Sequence, residues 1–457
     1  MAASLLFLIL LPVAPALVSS APYAYEVRSV IRESAKDYME QKARQGVTNL
    51  SSQRKDGQQM GHAAADGSGA LVFDISVGTS PQTVSLIMDI TGELVWAQCD
   101  HCTSCVRFTP PGTRTFLPKN SDSFREVGCA SQTCQRAIPG DHHCAGDRAL
   151  CTYIDTFIGG GNTSGFLATD TFSFGTTPVP GVVFGCSGDI MVDGLAGASG
   201  FAGFSRGGLS LVSQLNMSRF TYFIAPLNDA AGKSFVSWSS GDADNLDIIA
   251  LQAMMRGRRS STPLLAATEK QDPDLYYVKL TGVQLDGKLL TAIPAGTFDV
   301  RSDGSGGAIL STTLPVTYLE EAAYRVLRRE LVSRVQSEGV NATGDVNQLC
   351  FLAHELAKAK VPVLSLVFDG ADRAMEFRFE NYFFDVSGGL TCFTILPSTG
   401  GTVLGSLLQA GRTMTYDIHG GQLTFQTAAA SALAPERVAL MVMVTLLAWV
   451  LAPQSLV

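Results

Sequence analysis

Leu86-Ile87-Met88-Asp89-Ile90-Thr91 and Ala308-Ile309-Leu310-Ser311-Thr312-Thr313 read as two copies of one pattern. Each runs three apolar residues into a polar one and then x-Thr. Each meets an aromatic residue seven positions past the polar one, Trp96 in the first case and Tyr318 in the second. Farther on, each half has a turn of apolar residues around glycine, Phe201-Ala202-Gly203-Phe204 and Val403-Leu404-Gly405-Ser406. Two similar β lobes facing each other form a cleft, with the two polar positions at its centre.

Outward from these stretches the chain reads as strands. Leu71, Phe73, Ile75 and Val77 alternate onto one face before Gly78-Thr79-Ser80-Pro81 turns the chain. Short strands with Gly or Pro turns continue to about residue 225, and residues 208–216 are the clearest helical stretch. Alternation resumes at Leu275 and runs to residue 427, interrupted by a helix over 320–336. There Tyr324, Leu327 and Leu331 recur at helical spacing and belong to the core. The expected organisation is an N-terminal lobe at 70–250, a linker at 251–274 and a C-terminal lobe at 275–427, making an all-β, bilobal protein. Residues 254–263, with Arg256, Arg258 and Arg259, read as a solvated loop between lobes. Residues 21–69 are polar and irregular and read as a flexible leader or pro-segment.

Composition narrows the function classes. The 457 residues are 46% hydrophobic and 16% charged, with 33 basic against 41 acidic side chains, a net charge of −8. That excludes a disordered chain and argues against a nucleic-acid partner, which requires a basic surplus. The 45 glycines suit a β-rich fold with many turns.

Both ends carry processing signals. Residues 1–20 form an apolar run ending in small residues, the pattern of a signal peptide cleaved after Ser20. Residues 428–457 hold small residues, a short polar spacer with Glu436 and Arg437, and an apolar tail. This matches a glycolipid (GPI) attachment signal, with a single membrane span as the alternative. Sequons begin at Asn49, Asn162, Asn216 and Asn341 and mark surface loops of a glycoprotein in the secretory pathway. The ten cysteines, Cys99, Cys102, Cys105, Cys129, Cys134, Cys144, Cys151, Cys186, Cys350 and Cys392, are read as disulfide-forming in an exported chain. Spacing does not settle the connectivity; Cys350 with Cys392 is the expected isolated pair. Cys99, Cys102 and Cys105, near His101, His142 and His143, offer one knuckle where a zinc site pairs two, so neither metal nor cofactor is expected.

These residues resemble the pepsin-like (A1) aspartic peptidases, specifically the plant nepenthesin-type branch, across nearly all of residues 70–427. That family's first catalytic strand reads Asp-Thr-Gly-Ser and then Asp-Leu-Val-Trp. Here the stretch is Asp89-Ile90-Thr91-Gly92-Glu93-Leu94-Val95-Trp96, with Cys99 following. Cys151-Thr152-Tyr153, Phe184-Gly185-Cys186, Arg206 to Gln214, Tyr276-Tyr277-Val278 and Leu404-Gly405-Ser406 fit as well. The family usually carries twelve cysteines; the two absent ones fall at Phe223 and about Ala430.

The resemblance implies a two-carboxylate mechanism, in which a pair of acids shares one proton and activates water. The second acid should stand at Ser311, whose hydroxyl holds its proton too tightly to replace a carboxylate. Ile90, Thr91 and Thr313 depart from the expected turns, and the flap tyrosine aligns with Phe157. Asp155, Asp193 and Asp303 are the other acids weighed as substitutes, and none is expected on the strand facing Asp89. Ser311-Thr312-Thr313-Leu314-Pro315 is similar to the plant xylanase inhibitors, which keep the fold, have lost peptidase activity and block glycoside hydrolases. The reading is therefore a monomeric pseudo-peptidase on the extracellular side, held at the plasma membrane by a C-terminal lipid anchor. Its expected partners are secreted glycoside hydrolases, peptides or wall polysaccharides. The alternative is an aspartic endopeptidase with residual or atypical activity. The enzyme-contacting loops of those inhibitors have no match placed on this chain; His354 and His419 are the weakest of candidates, set against the incidental surface histidine.

Overall fold

The computed structural model describes residues 23–32, 35–40, 71–103, 115–136, 143–145, 149–157, 161–192, 195, 197–229, 232–240, 259–343, 348–372 and 374–427. The expected signal peptide, the expected anchor, Asn49, Cys105, His142 and Asp193 lie outside the described residues. Among the described residues, no helix is long and apolar enough to cross a membrane.

Strands dominate, and the two polar positions sit at the ends of equivalent ones. In the N-terminal half the order of hydrogen-bonded strands is Leu71–Val77, Gln82–Asp89, Gly200–Gly203, Trp96–Gln98 and Thr177–Met191. In the C-terminal half it is Tyr277–Val278, Ala308–Leu310, Thr402–Leu404, Thr317–Glu320 and Ile395–Ser398. The pairings also agree in sense: antiparallel, parallel, antiparallel, parallel in both. The sequence repeat is thus a repeat of topology, and Asp89 and Ser311 occupy corresponding places.

A further sheet region ties the halves together. Strand Met217–Ile224 of the first half pairs with Arg412–Asp417 of the second, Arg219 opposite Asp417 and Ile224 opposite Arg412. Strand Gln422–Thr427 continues this sheet and pairs with Arg259–Pro263 at its edge. The expectation of a solvated loop over 254–263 therefore fails for residues 259–263. Ser260 and Thr262 point inward and are buried, and Pro263 is tolerated because the strand is an edge.

The larger correction concerns the leader. Tyr23–Ser29 is a strand inside the same sheet, paired with Ser234–Ser240 over five positions from Tyr23–Trp238 to Val27–Ser234, and with Leu71–Val77 at Arg28 and Ser29. Tyr25 stacks on Trp238 with ring centroids 5.2 Å apart. Val27, Val30, Ile31, Ala35, Tyr38 and Met39 are buried, and the last two pack with Val316, Leu396 and the Cys350–Cys392 bridge. The hydroxyls of Tyr38 and Tyr318 are hydrogen-bonded. Residues 23–32 and 35–40 are thus core rather than a solvated extension, because enough apolar side chains are buried to offset the entropy of ordering them.

Cysteine pairing is Cys99–Cys186, Cys134–Cys151 and the expected Cys350–Cys392. Cys102 and Cys129 are also disulfide-bonded. Asn162 opens strand Asn162–Phe174 half-buried, whereas Asn216 and Asn341 are exposed.

Candidate functional site

The two turns that follow the paired strands are built alike. Phe204 N donates to Asp89 O at 2.7 Å and Ser205 N to Gly92 O at 3.2 Å, while across the pseudo-twofold Ser406 N donates to Leu314 O at 2.8 Å. Close approach of backbone to backbone explains the glycine in each partner strand. A Cβ at Gly203 would lie 2.3 Å from Glu93 O, and one at Gly405 would lie 2.1 Å from Val316 O.

Each turn cradles its polar side chain with its own backbone. The Asp89 carboxylate accepts from Thr91 N at 2.8 Å and Thr91 Oγ1 at 2.6 Å, with a further backbone bond from Gly92. Ser311 Oγ accepts from Thr313 N at 3.2 Å and Leu314 N at 3.1 Å, with Thr313 Oγ1 at 3.0 Å. The amides two and three residues on therefore serve a carboxylate in one half and a hydroxyl in the other. Both side chains are buried, Asp89 being 2% exposed and Ser311 0%.

The protonation state follows from these surroundings. Burial pushes the Asp89 carboxyl above its ordinary value, opposed by the bonds from Thr91 and Gly92. A second acid would split the titration of the pair and hold one member ionised; Ser311 has no proton to share in this range. Asp303 lies in an exposed loop, its carboxylate held by Ser305 N at 2.9 Å and Ser305 Oγ, which keep it below the usual range. Asp155 is on the flap strand Leu150–Thr156, not on a strand beside Asp89.

One contact escaped the sequence reading. Thr312 Oγ1 crosses between the halves, donating to Met88 O at 2.7 Å and accepting from Ile90 N at 3.3 Å. The pseudo-twofold places Ile90 opposite Thr312, and isoleucine has no hydroxyl to return the bond. The clasp is one-sided. Threonine at 312 was visible in the sequence, but its partner is 222 residues away and no local pattern identifies it.

Phe157, the residue expected at the flap position, is drawn into an aromatic stack. It lies 4.9 Å from Phe201 and 5.8 Å from Trp96, both close to parallel. Trp96 Nε1 is buried and finds no hydrogen-bond acceptor among the described residues. A phenyl ring fills the space but offers no oxygen to that N–H. A second feature unread in the sequence lies beside the first turn. Glu93 Oε1 accepts from Leu209 N at 3.0 Å, and Asp274 is pushed up to about 6 by burial and by the charges of Glu93 and Asp272. Cys99, His101 and Cys186 also converge, but the two sulfurs are bonded to each other and present no thiolate to a metal.

Two facing β halves, each offering one side chain at a central turn, define the bilobal pepsin-like architecture. A profile described as xylanase inhibitor N-terminal matches residues 72–237, and one described as xylanase inhibitor C-terminal matches residues 275–427. The aspartic proteinase nepenthesin-1 of Nepenthes gracilis is 30% identical over 364 residues, covering 79% of this chain and 78% of that protein. Aspartyl protease family protein 2 of Arabidopsis thaliana is 29% identical over 369 residues, covering 79% and 71%. In fold, the chain is similar to basic 7S globulin from soybean, with a TM-score of 0.63 at 17% identity, covering 91% of this chain and 100% of that one. Conglutin gamma from lupine seeds gives 0.63 at 16%, covering 90% and 96%. The chain belongs to the plant pepsin-like aspartic proteinase family, in its xylanase-inhibitor-like branch.

Proposed function

We propose that this protein is a non-catalytic binding member of its family, acting outside the cell on protein partners, with secreted glycoside hydrolases the favoured class. The observation that carries the reading is Ser311 Oγ in the amide cradle that corresponds to the cradle of Asp89. General acid–base chemistry needs a group that exchanges a proton near the working pH, within hydrogen-bond reach of the reacting water. A buried neutral hydroxyl beside one buried carboxyl offers no such pair. The half-clasp at Ile90 and the phenyl ring at Phe157 support the same reading, since both lie on the catalytic framework rather than on the periphery.

The remaining expectations belong to this proposal. Cleavage after Ser20 would place the strand beginning at Tyr23 almost at the new N-terminus. The sequons at Asn49, Asn162, Asn216 and Asn341 would carry glycans, and residues 428–457 would direct a lipid anchor on a monomer. Release from membranes by a phosphatidylinositol-specific lipase tests the anchor, and retention would favour a spanning tail.

The central test is turnover. Purified protein is expected to leave denatured protein substrates intact between pH 3 and 6, with rates equal to a blank; pepstatin-sensitive cleavage would defeat the proposal. Ser311→Asp alone is expected to stay inactive, because Ile90, Thr91 and Thr313 still shape both turns. Capture of secreted glycoside hydrolases, undiminished in the Asp89→Asn variant, would support binding without chemistry.

A further inference from the structure

The long helix Glu321–Ser337 buries Ala323, Tyr324, Val326, Leu327, Leu331 and Val335. Beside it, lined by none of the residues of the Asp89 and Ser311 turns, runs a groove of about 500 Å³. Its helical wall presents Arg325, Arg328, Arg329, Val332, Ser333 and Gln336, and Pro397 of strand Ile395–Ser398 lies across from them. Positions 325, 328 or 329, 332 or 333, and 336 fall on one stripe. At 1.5 Å per residue the stripe is roughly 16 Å long.

The charge of the lining is opposite to that of the chain. Three arginines and Glu321 line the groove of a protein whose net charge is −8. Arg325 engages Glu321 at 2.5 Å and Arg329 engages Glu330 at 3.5 Å, exposed pairs of small worth that a ligand carboxylate can displace. A guanidinium presents a planar fork that matches a carboxylate bidentately. Ser333 and Gln336 add short-range donors and acceptors, and Val332 and Pro397 add apolar surface. Carboxylates, hydroxyls and apolar ring faces occur together in an acidic oligosaccharide. An extended acidic peptide fits less well, since it gains affinity from a strand edge. One wall is a helix whose amides are spent internally; the other, strand Ile395–Ser398, is the edge of its sheet, but the residue it contributes to the groove is Pro397, which has no N–H to offer.

We infer that this groove binds a carboxylate-bearing oligosaccharide of uronic-acid type. The site goes beyond the reading of the cleft and is independent of whether Asp89 and Ser311 support catalysis.

The test is titration of the purified protein at low ionic strength with a de-esterified oligogalacturonate of six residues, beside a neutral xylo-oligosaccharide and a poly-glutamate of matched charge. Binding of the uronate probe alone is expected, weakening as salt is added because the contacts are solvent-exposed. Arg325→Gln with Arg329→Gln, both exposed positions, is expected to lower affinity at least tenfold while the unfolding midpoint stays unchanged. Arg329→Lys, which keeps charge but not the fork, should fall between. Absence of binding, equal binding by the double variant, or equal binding of the neutral sugar overturns the inference. Equal binding of poly-glutamate does so too and assigns the groove to acidic polypeptides.

Discussion

The Asp89 half and the Ser311 half share strand order, pairing sense and the two-amide cradle, yet they have diverged at the side chains that the cradle serves. What is retained in both is what folding requires: buried apolar strands, close-approach glycines and amides with acceptors. What differs is acid–base chemistry. A serine hydroxyl satisfies the two amides that a carboxylate would have taken, so the loss of an acid leaves no buried donor unpaired. On the proposed reading, the framework places little penalty on replacing the acid, and such a scaffold is kept for its surface.

The one-sided clasp is where substitution separates the two halves most. Thr312→Val would leave Met88 O and Ile90 N buried without a partner, which costs about 2–4 kcal/mol for two such groups. Its urea-unfolding midpoint should fall well below that of the parent; an unchanged midpoint would mean that the halves are held by the shared sheet alone. The complementary substitution acts on the other half. Ile90→Thr is expected to restore the returning bond and stabilise by about 1 kcal/mol, the net worth of one hydrogen bond. A loss of stability would show that the Ile90 side chain matters more for packing than its symmetry position suggests.

The smallest effect concerns Asp274, beside Glu93 of the first turn. Its folded value of about 6 lies above the ordinary 3.8, so the folded state holds a proton that the unfolded state releases first. The contribution is complete at low pH and is lost as pH rises through 6. Asp274→Asn should therefore gain on the parent between pH 4 and 7, by about 1 kcal/mol after allowance for solvent screening of a half-buried group. Unfolding curves that stay parallel across that range would place the pH dependence elsewhere.

The lobes were legible because their strands carry runs such as Leu71 to Val77 and Leu86 to Met88, and because the repeat fixes which residues correspond. Ser311 was legible for the same reason. The leader strand was not. Its buried Val27, Val30, Ile31, Tyr38 and Met39 are interleaved with Glu26, Arg28, Arg32 and Lys36, and a single seven-residue strand gives little periodicity. Arg259–Pro263 escaped for a related reason: an edge strand tolerates Ser, Thr and Pro, and its partner Gln422–Thr427 lies far along the chain. Thr312 and the Glu93–Asp274 neighbourhood depend on contacts between halves, which no local pattern encodes.

The position of Tyr23–Ser29 also sets an order of events during synthesis. This segment leaves the ribosome ahead of its pairing partner Ser234–Ser240, which emerges more than two hundred residues later. Until then the segment has only the two-residue pairing of Arg28 and Ser29 with Leu71–Val77, and closure of the longer loop is slow. A sheet whose earliest-made strand waits for its main partner must keep that strand from collapsing elsewhere or aggregating while the rest is made.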